Sequence, residues 1–92
     1  MSAAIILVQR LEDKGEESAD AYRELARLEV ELAKIFPPNL IEGQIARKGA
    51  VFAALKAGDR KLAKELVGIY LDEEDVVDSV RMAIEKMLQG DY

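Results

Sequence analysis

The constraint that acts first on this chain is where its helices are forced to stop. Pro37 and Pro38 stand in succession. Neither can donate a backbone hydrogen bond, and the second pushes its predecessor out of the helical region, so no helix runs through them. Gly58 followed by Asp59 is a terminating glycine and an N-cap back to back, the shortest way to end one helix and begin the next. Gly15 and Gly90 stand at two further helix ends. Between these marks lie segments of helix length whose apolar residues recur at helical spacing, with no alternating strand pattern. The spacing predicts an all-α fold: one helical domain over residues 1–92, a compact bundle of about five short helices arranged as antiparallel hairpins.

Ser2 can cap a first helix with Ala4, Ile5, Leu7, Val8 and Leu11 on one face and Ile6 off it. A helix apolar nearly all round is buried among several neighbours or touches a second chain, and a chain this short provides few neighbours. Ser18 or Asp20 opens the next helix, with Glu16, Glu17 and Asp20 early and Lys34 late, as the helix dipole favours. Its Ala21, Leu25, Leu28, Leu32 and Ile35 form a heptad seam widened by Tyr22, Ala26, Ala33 and Phe36, suited to a bundle interior or to pairing with another helix. Arg27 can pair with Glu24 and Glu31 on its surface.

Asn39 is expected to cap a helix from Leu40 to about Lys56 that contains Gly43 and Gly49, each costing up to about 1 kcal/mol relative to Ala. Gly43, Ala46, Ala50, Ala53 and Ala57 make a stripe of small side chains along which another helix can approach closely, beside a larger face of Ile41, Ile45, Phe52 and Leu55. That pairing of faces marks the central helix. The segment from Arg60 to about Leu71 is expected to bury Leu62, Ala63, Leu66, Val67, Ile69 and Tyr70. Asp72 can cap a last helix with Val76, Val80, Ala83 and Met87 in a seam flanked by Val77, Ile84 and Leu88.

Composition narrows the chemistry. Cys and His are both absent, which removes disulfides, thiolate nucleophiles, imidazole bases and the common zinc sites. No cofactor, metal or catalytic residue is expected. With aromatic residues at 5% and no Trp, the core has to come from Leu, Ile, Val and Ala. Apolar runs such as Ala3 to Val8 are far short of a membrane span, so no membrane partner is expected and the protein reads as cytoplasmic. A single Asn and abundant Glu, Lys and Arg would suit a thermophile.

The net charge of −5 is unevenly spread: residues 47–64 carry six cations, Arg47, Lys48, Lys56, Arg60, Lys61 and Lys64, against one anion, Asp59, between two acidic ends. This basic hairpin is the candidate for contact with phosphate or with an acidic protein surface, including another copy's acidic end. No aromatic residue interleaves with it to stack bases. Reading of DNA by a helix beginning near Glu73 is disfavoured, because Asp72, Glu73, Glu74 and Asp75 would face the phosphate backbone.

Two resemblances attach to particular residues. Lys56-Ala57-Gly58-Asp59-Arg60-Lys61-Leu62-Ala63-Lys64-Glu65-Leu66 resembles the turn and second-helix start of a tetratricopeptide repeat, with Gly58, Asp59 and Ala63 at the matching positions. It covers under a quarter of the chain, Val67 stands where the repeat has an aromatic residue, and no second copy occurs at the repeat's spacing of about 34 residues; it implies a helical-hairpin interaction surface. Glu16-Glu17-Ser18-Ala19-Asp20 is similar to the E-E-x-x-E cluster with which all-α nucleotide pyrophosphohydrolases hold magnesium. The partner motif would have to be Asp75-Val76-Val77-Asp78, which departs at its first residue.

The reading that follows is a small protein–protein interaction module, an accessory subunit or homo-oligomer without catalysis, contacting a protein partner or itself through Ile5, Ile6, Leu25, Leu28 and Leu32. The alternative is a nucleic-acid-associated accessory factor using the 47–64 hairpin. A metal-dependent nucleotide hydrolase is a distant third.

Overall fold

A computed structural model describes residues 18–90, whose regular structure is entirely α-helical. Among the described residues the helices are α1 (Ser18–Ile35), α2 (Ile41–Lys56), α3 (Arg60–Leu71) and α4 (Asp78–Leu88). The helix expected between Ser2 and Gly15 lies outside the described residues, so the described bundle has four helices.

The stops act as the sequence dictates, with two adjustments. After α1 the Phe36 N–H still donates to the Leu32 carbonyl at 2.9 Å, and a turn over the prolines closes with Leu40 N–H on the Pro37 carbonyl at 3.2 Å. That turn places Leu40, not Asn39, at the N-cap of α2, without a side-chain cap. Asn39 contributes only its carbonyl, which accepts from Gln44 Nε2 at 3.2 Å. Between α2 and α3 the expected device is present. Gly58 adopts φ 80°, its N–H donates to Leu55 and that of Asp59 to Ala54, at 3.0 and 2.9 Å. The Asp59 carboxylate then accepts from Leu62 N–H at 3.0 Å and starts α3.

Asp72 closes α3 as its C-cap and does not cap the last helix. Residues 73–77 are non-helical, with a turn at Glu74 and Asp75, and α4 begins at Asp78 behind an extended Val77. The cause is tertiary: Glu73 is bound by Arg47, and Val76 and Val77 lie against the core, which holds this stretch out of a helix.

Among the described residues helix α2 is central, packing against α1, α3 and α4, and the main backbone approach of α1 is to α2, with Leu62 of α3 also packed against the α1 cluster. Ala46, Ala50 and Ala53 have no exposed surface and Ala57 is 8% exposed, so the small-residue stripe is where its neighbours come closest. At Gly43 an added Cβ would lie 2.8 Å from the Phe36 carbonyl oxygen and nearer still to that of Pro37. Glycine is required there because backbone occupies the space a side chain would need.

Close approach also decides which face α1 turns inward. Ala21, Tyr22, Leu25, Ala26 and Ala33 are buried, with Tyr22 edge-on to Phe52 at 6.0 Å between ring centres. The expected heptad seam holds only in its first half: Leu28 and Ile35 are exposed and Leu32 is half-buried. The alanines of α1 fit the flat surface of α2 better than leucines do, and the helix is rotated accordingly. For the same reason the large face expected on α2 is not continuous: Leu55 is buried and Phe52 half-buried, whereas Ile41 and Ile45 remain outside. Ile69 of α3, expected in the core, is 60% exposed. The main cluster joins Ala46, Ala50, Val51 and Ala54 to Leu66, Val67, Tyr70, Val80 and Ile84.

Enlarging the stripe should therefore be costly. Ala50→Leu or Ala53→Leu is expected to destabilise the fold by about 1–3 kcal/mol through overpacking. Gly43→Ala should also lower stability despite the better helix propensity of alanine. Urea titration of each variant, followed by far-ultraviolet circular dichroism, checks both; an unchanged midpoint in Gly43→Ala would refute the backbone-contact account.

Candidate functional site

The basic hairpin and the exposed apolar seam reach very different environments. Arg47 is 3% exposed and spends every guanidinium donor inside the protein. Its Nε and Nη2 meet the two Glu73 carboxylate oxygens at 2.6 and 2.7 Å. Nη1 donates to the Phe36 and Gly43 carbonyls, both at 2.9 Å, and Nη2 to that of Ala33 at 3.1 Å. A guanidinium has five N–H donors and all are engaged, leaving none for an external phosphate. The Tyr70 ring lies 5.5 Å from the guanidinium carbon, in cation–π range.

Arg47 thus seals the exposed end of α1, whose last carbonyls have no helical partner, and ties it to the chain beyond α3. The carboxylate fork of Glu73 supplies charge and geometry together.

The rest of the basic set lies nearer the surface. Lys56 Nζ sits 5.7 Å from the Phe52 ring centre. Arg60 Nη2 donates to the Leu88 carbonyl at 3.0 Å, tying the start of α3 to the end of α4. Lys48 is half-buried and Lys61 and Lys64 are exposed. The exposed members of the basic set, Lys56, Arg60, Lys61 and Lys64, are therefore gathered around the α2–α3 turn and the first turns of α3, with Arg47 and Lys48 set apart within α2.

Of the apolar candidates, Ile5 and Ile6 lie outside the described residues. Leu25 is buried at 6% exposure and belongs to the α1–α2 contact, Leu32 is half-buried, and Leu28 is open to solvent. Between α1 and α3 runs an open cleft of about 390 Å³ lined by Val30, Phe36, Arg47, Leu66, Ile69 and Tyr70 among others. A second hollow of about 290 Å³ shares Val30 with it and reaches Ala26 and Leu62.

The acidic candidates are dispersed. Glu16 and Glu17 lie outside the described residues, Asp20 pairs with Arg23 at 2.8 Å, Asp72 caps α3 and Asp78 is 4.0 Å from Arg81. Glu24 pairs with Arg27 as expected, but Glu31 pairs with Lys34 at 3.3 Å instead of with Arg27. Among the described residues no group of three or more acidic side chains is placed to hold a metal ion, and no helix is long and apolar enough to cross a membrane.

One residue was not anticipated. Glu29 of α1 is 2% exposed, and its Oε1 has no hydrogen-bond partner; nor has the buried Tyr70 hydroxyl. Burial pushes the Glu29 carboxyl up to about 7 and the Tyr70 hydroxyl up to about 12. A lone glutamate among alternating charges on an exposed-looking helix gives no sequence signal of burial. The glycine facing it, Gly49, is the only trace.

No family model matches the chain, and neither a curated protein nor a solved structure matches it.

The Arg47 network yields a discriminating stability test. Arg47→Ala leaves Glu73 and several carbonyls unpaired and should cost about 3–5 kcal/mol. Arg47→Lys should recover little of that, since an ammonium cannot match the fork. Arg60→Ala, at the surface, should cost about 1 kcal/mol or less. Chemical denaturation of the three variants checks the order; near-equal losses for Arg47→Ala and Arg60→Ala would refute it.

Proposed function

We propose that the chain is a small cytoplasmic protein–protein interaction module, acting as an accessory subunit or as a homo-oligomer and without catalysis of its own. The observation that carries this reading is the half of the α1 seam that the bundle leaves uncovered: Leu28 is 38% and Ile35 69% exposed, on the same helix face as the half-buried Leu32. Beyond the proline turn Leu40, Ile41 and Ile45 are 45%, 67% and 47% exposed. Exposed branched apolar side chains on both helices that flank the proline turn favour a covering surface over water. Isolated exposed leucines would carry no such weight.

A second reading, contact with nucleic-acid backbone, rests on the exposed Lys61 and Lys64 beside Arg60. It starts from a weaker position, since Arg47 is committed to the interior and the chain's net charge is −5.

Light scattering at high micromolar concentration is expected to give a dimer or larger assembly. Leu28→Glu with Ile35→Glu should lower that mass without loss of helix signal, and Ile6→Glu should weaken association more than helicity. A monomeric wild type would remove the self-association form of the proposal. Duplex DNA is expected to bind weakly or not at all near physiological salt. Submicromolar binding with a steep salt dependence, lost when Arg60, Lys61 and Lys64 are all changed to Glu, would favour the second reading instead.

A further inference from the structure

Glu29 occupies a place where an acidic side chain is costly unless it carries a proton. Its side chain lies over Gly49 of α2, so closely that a Cβ added there would be 2.9 Å from Cδ and 3.3 Å from Cγ, and in conflict with Oε2. The missing side chain of Gly49 is therefore the cradle of the Glu29 carboxyl group, in the contact between α1 and α2. Oε1 lies buried there without a hydrogen-bond partner. An ionised carboxylate in that setting has no hydrogen bond at Oε1 to offset its lost hydration, whereas a protonated one is a modest neutral group.

The charged neighbours do not alter this. From α2, Arg47 turns all its donors to Glu73 and to carbonyl oxygens, and Lys48, next to Gly49, is half-buried. From α3, Tyr70 feels the charges of Arg47, Glu73 and Glu29, and its own hydroxyl is unpartnered. The amino-terminal charge of the chain acts on Glu29 in the sense opposite to burial, and burial is the larger effect.

We propose that Glu29 is a proton-operated latch between α1 and α2: protonated, it seats over Gly49 and holds α1 down; ionised, it drives the helix away from α2 and bares the Tyr22, Leu25 and Ala26 face. Such a device makes the apolar surface of α1 available in response to pH. It does not depend on the interaction-module reading, because it concerns the docking of α1 on its own bundle.

The direction of the effect follows from linkage. The folded state holds the Glu29 proton up to about pH 7, against an ordinary value of 4.5, so it binds more protons than the unfolded chain across that interval. The contribution of Glu29 to stability is fully present below the lower value, falls as pH rises between the two, and is lost above the upper one.

The test compares the full-length wild type with Glu29→Gln, an uncharged isostere, from about pH 5.5 to about pH 8.5, a range in which ordinary carboxylates do not titrate. The wild-type melting temperature should fall across that range by several degrees more than that of Glu29→Gln. Hydrogen exchange, corrected for intrinsic rates, should show protection lost in α1 ahead of α3 and α4 in the wild type alone. Equal pH dependence in the two proteins, or loss of protection uniform over all helices, would overturn the proposal. Should Glu29→Gln fail to fold, carbon-13 titration of the wild-type Glu29 carboxyl decides the matter: a midpoint near neutrality supports the latch, and one in the ordinary glutamate range overturns it.

Discussion

The architecture depends on a single guanidinium. Arg47 collects the Ala33 and Phe36 carbonyls at the end of α1, the Gly43 carbonyl within α2, and the Glu73 carboxylate beyond α3. Three stretches of chain with no hydrogen bonds in common are thereby held around one charge. Taking an arginine out of water is expensive, and an unpaired one would not be tolerated at that depth. Here every donor has an acceptor, and one acceptor is itself anionic. The turn over Pro37 and Pro38, the late start of α4 and the non-helical path of residues 73–77 are all arranged around that group.

Small residues supply the complementary condition. Gly43, Ala46 and Ala50 bring α2 close enough to its neighbours for backbone carbonyls to reach the arginine. The same closeness rotates α1 so that alanines face inward and Leu28 and Ile35 face out. The exposed apolar surface of α1 is thus a by-product of how tightly α2 is packed.

Much of the frame was legible in the residues. Gly58 and Asp59 specify a turn by local conformation alone, and the prolines specify a stop, so both appear where the chain says they should. The small-residue stripe announced a close contact and forms one. What escaped reading depends on partners distant in sequence. Arg47 looked like one cation of a basic hairpin because nothing nearby reveals that Glu73 waits for it 26 residues later. Asp72 has the character of an N-cap, yet the bond between Glu73 and Arg47 leaves it at the end of α3. Glu29 sits among surface-like charges, and its burial follows from the absent side chain of Gly49, a feature that propensity registers only as a defect. Helical periodicity likewise located the apolar residues of α1 without fixing which edge of a broad stripe would turn inward.

The brevity of the connections bears on how the chain finds this structure. The links between successive described helices span only residues 36–40, 57–59 and 72–77, and α1 meets α2, α2 meets α3, and α3 meets α4, each pair adjacent in the chain, while α2 also reaches past α3 to meet α4. Little loop entropy therefore has to be surrendered before the hairpins between chain neighbours can pack. The closure of Glu73 on Arg47, 26 residues apart, encloses more chain than any of these turns and so carries a larger loop-closure cost than they do.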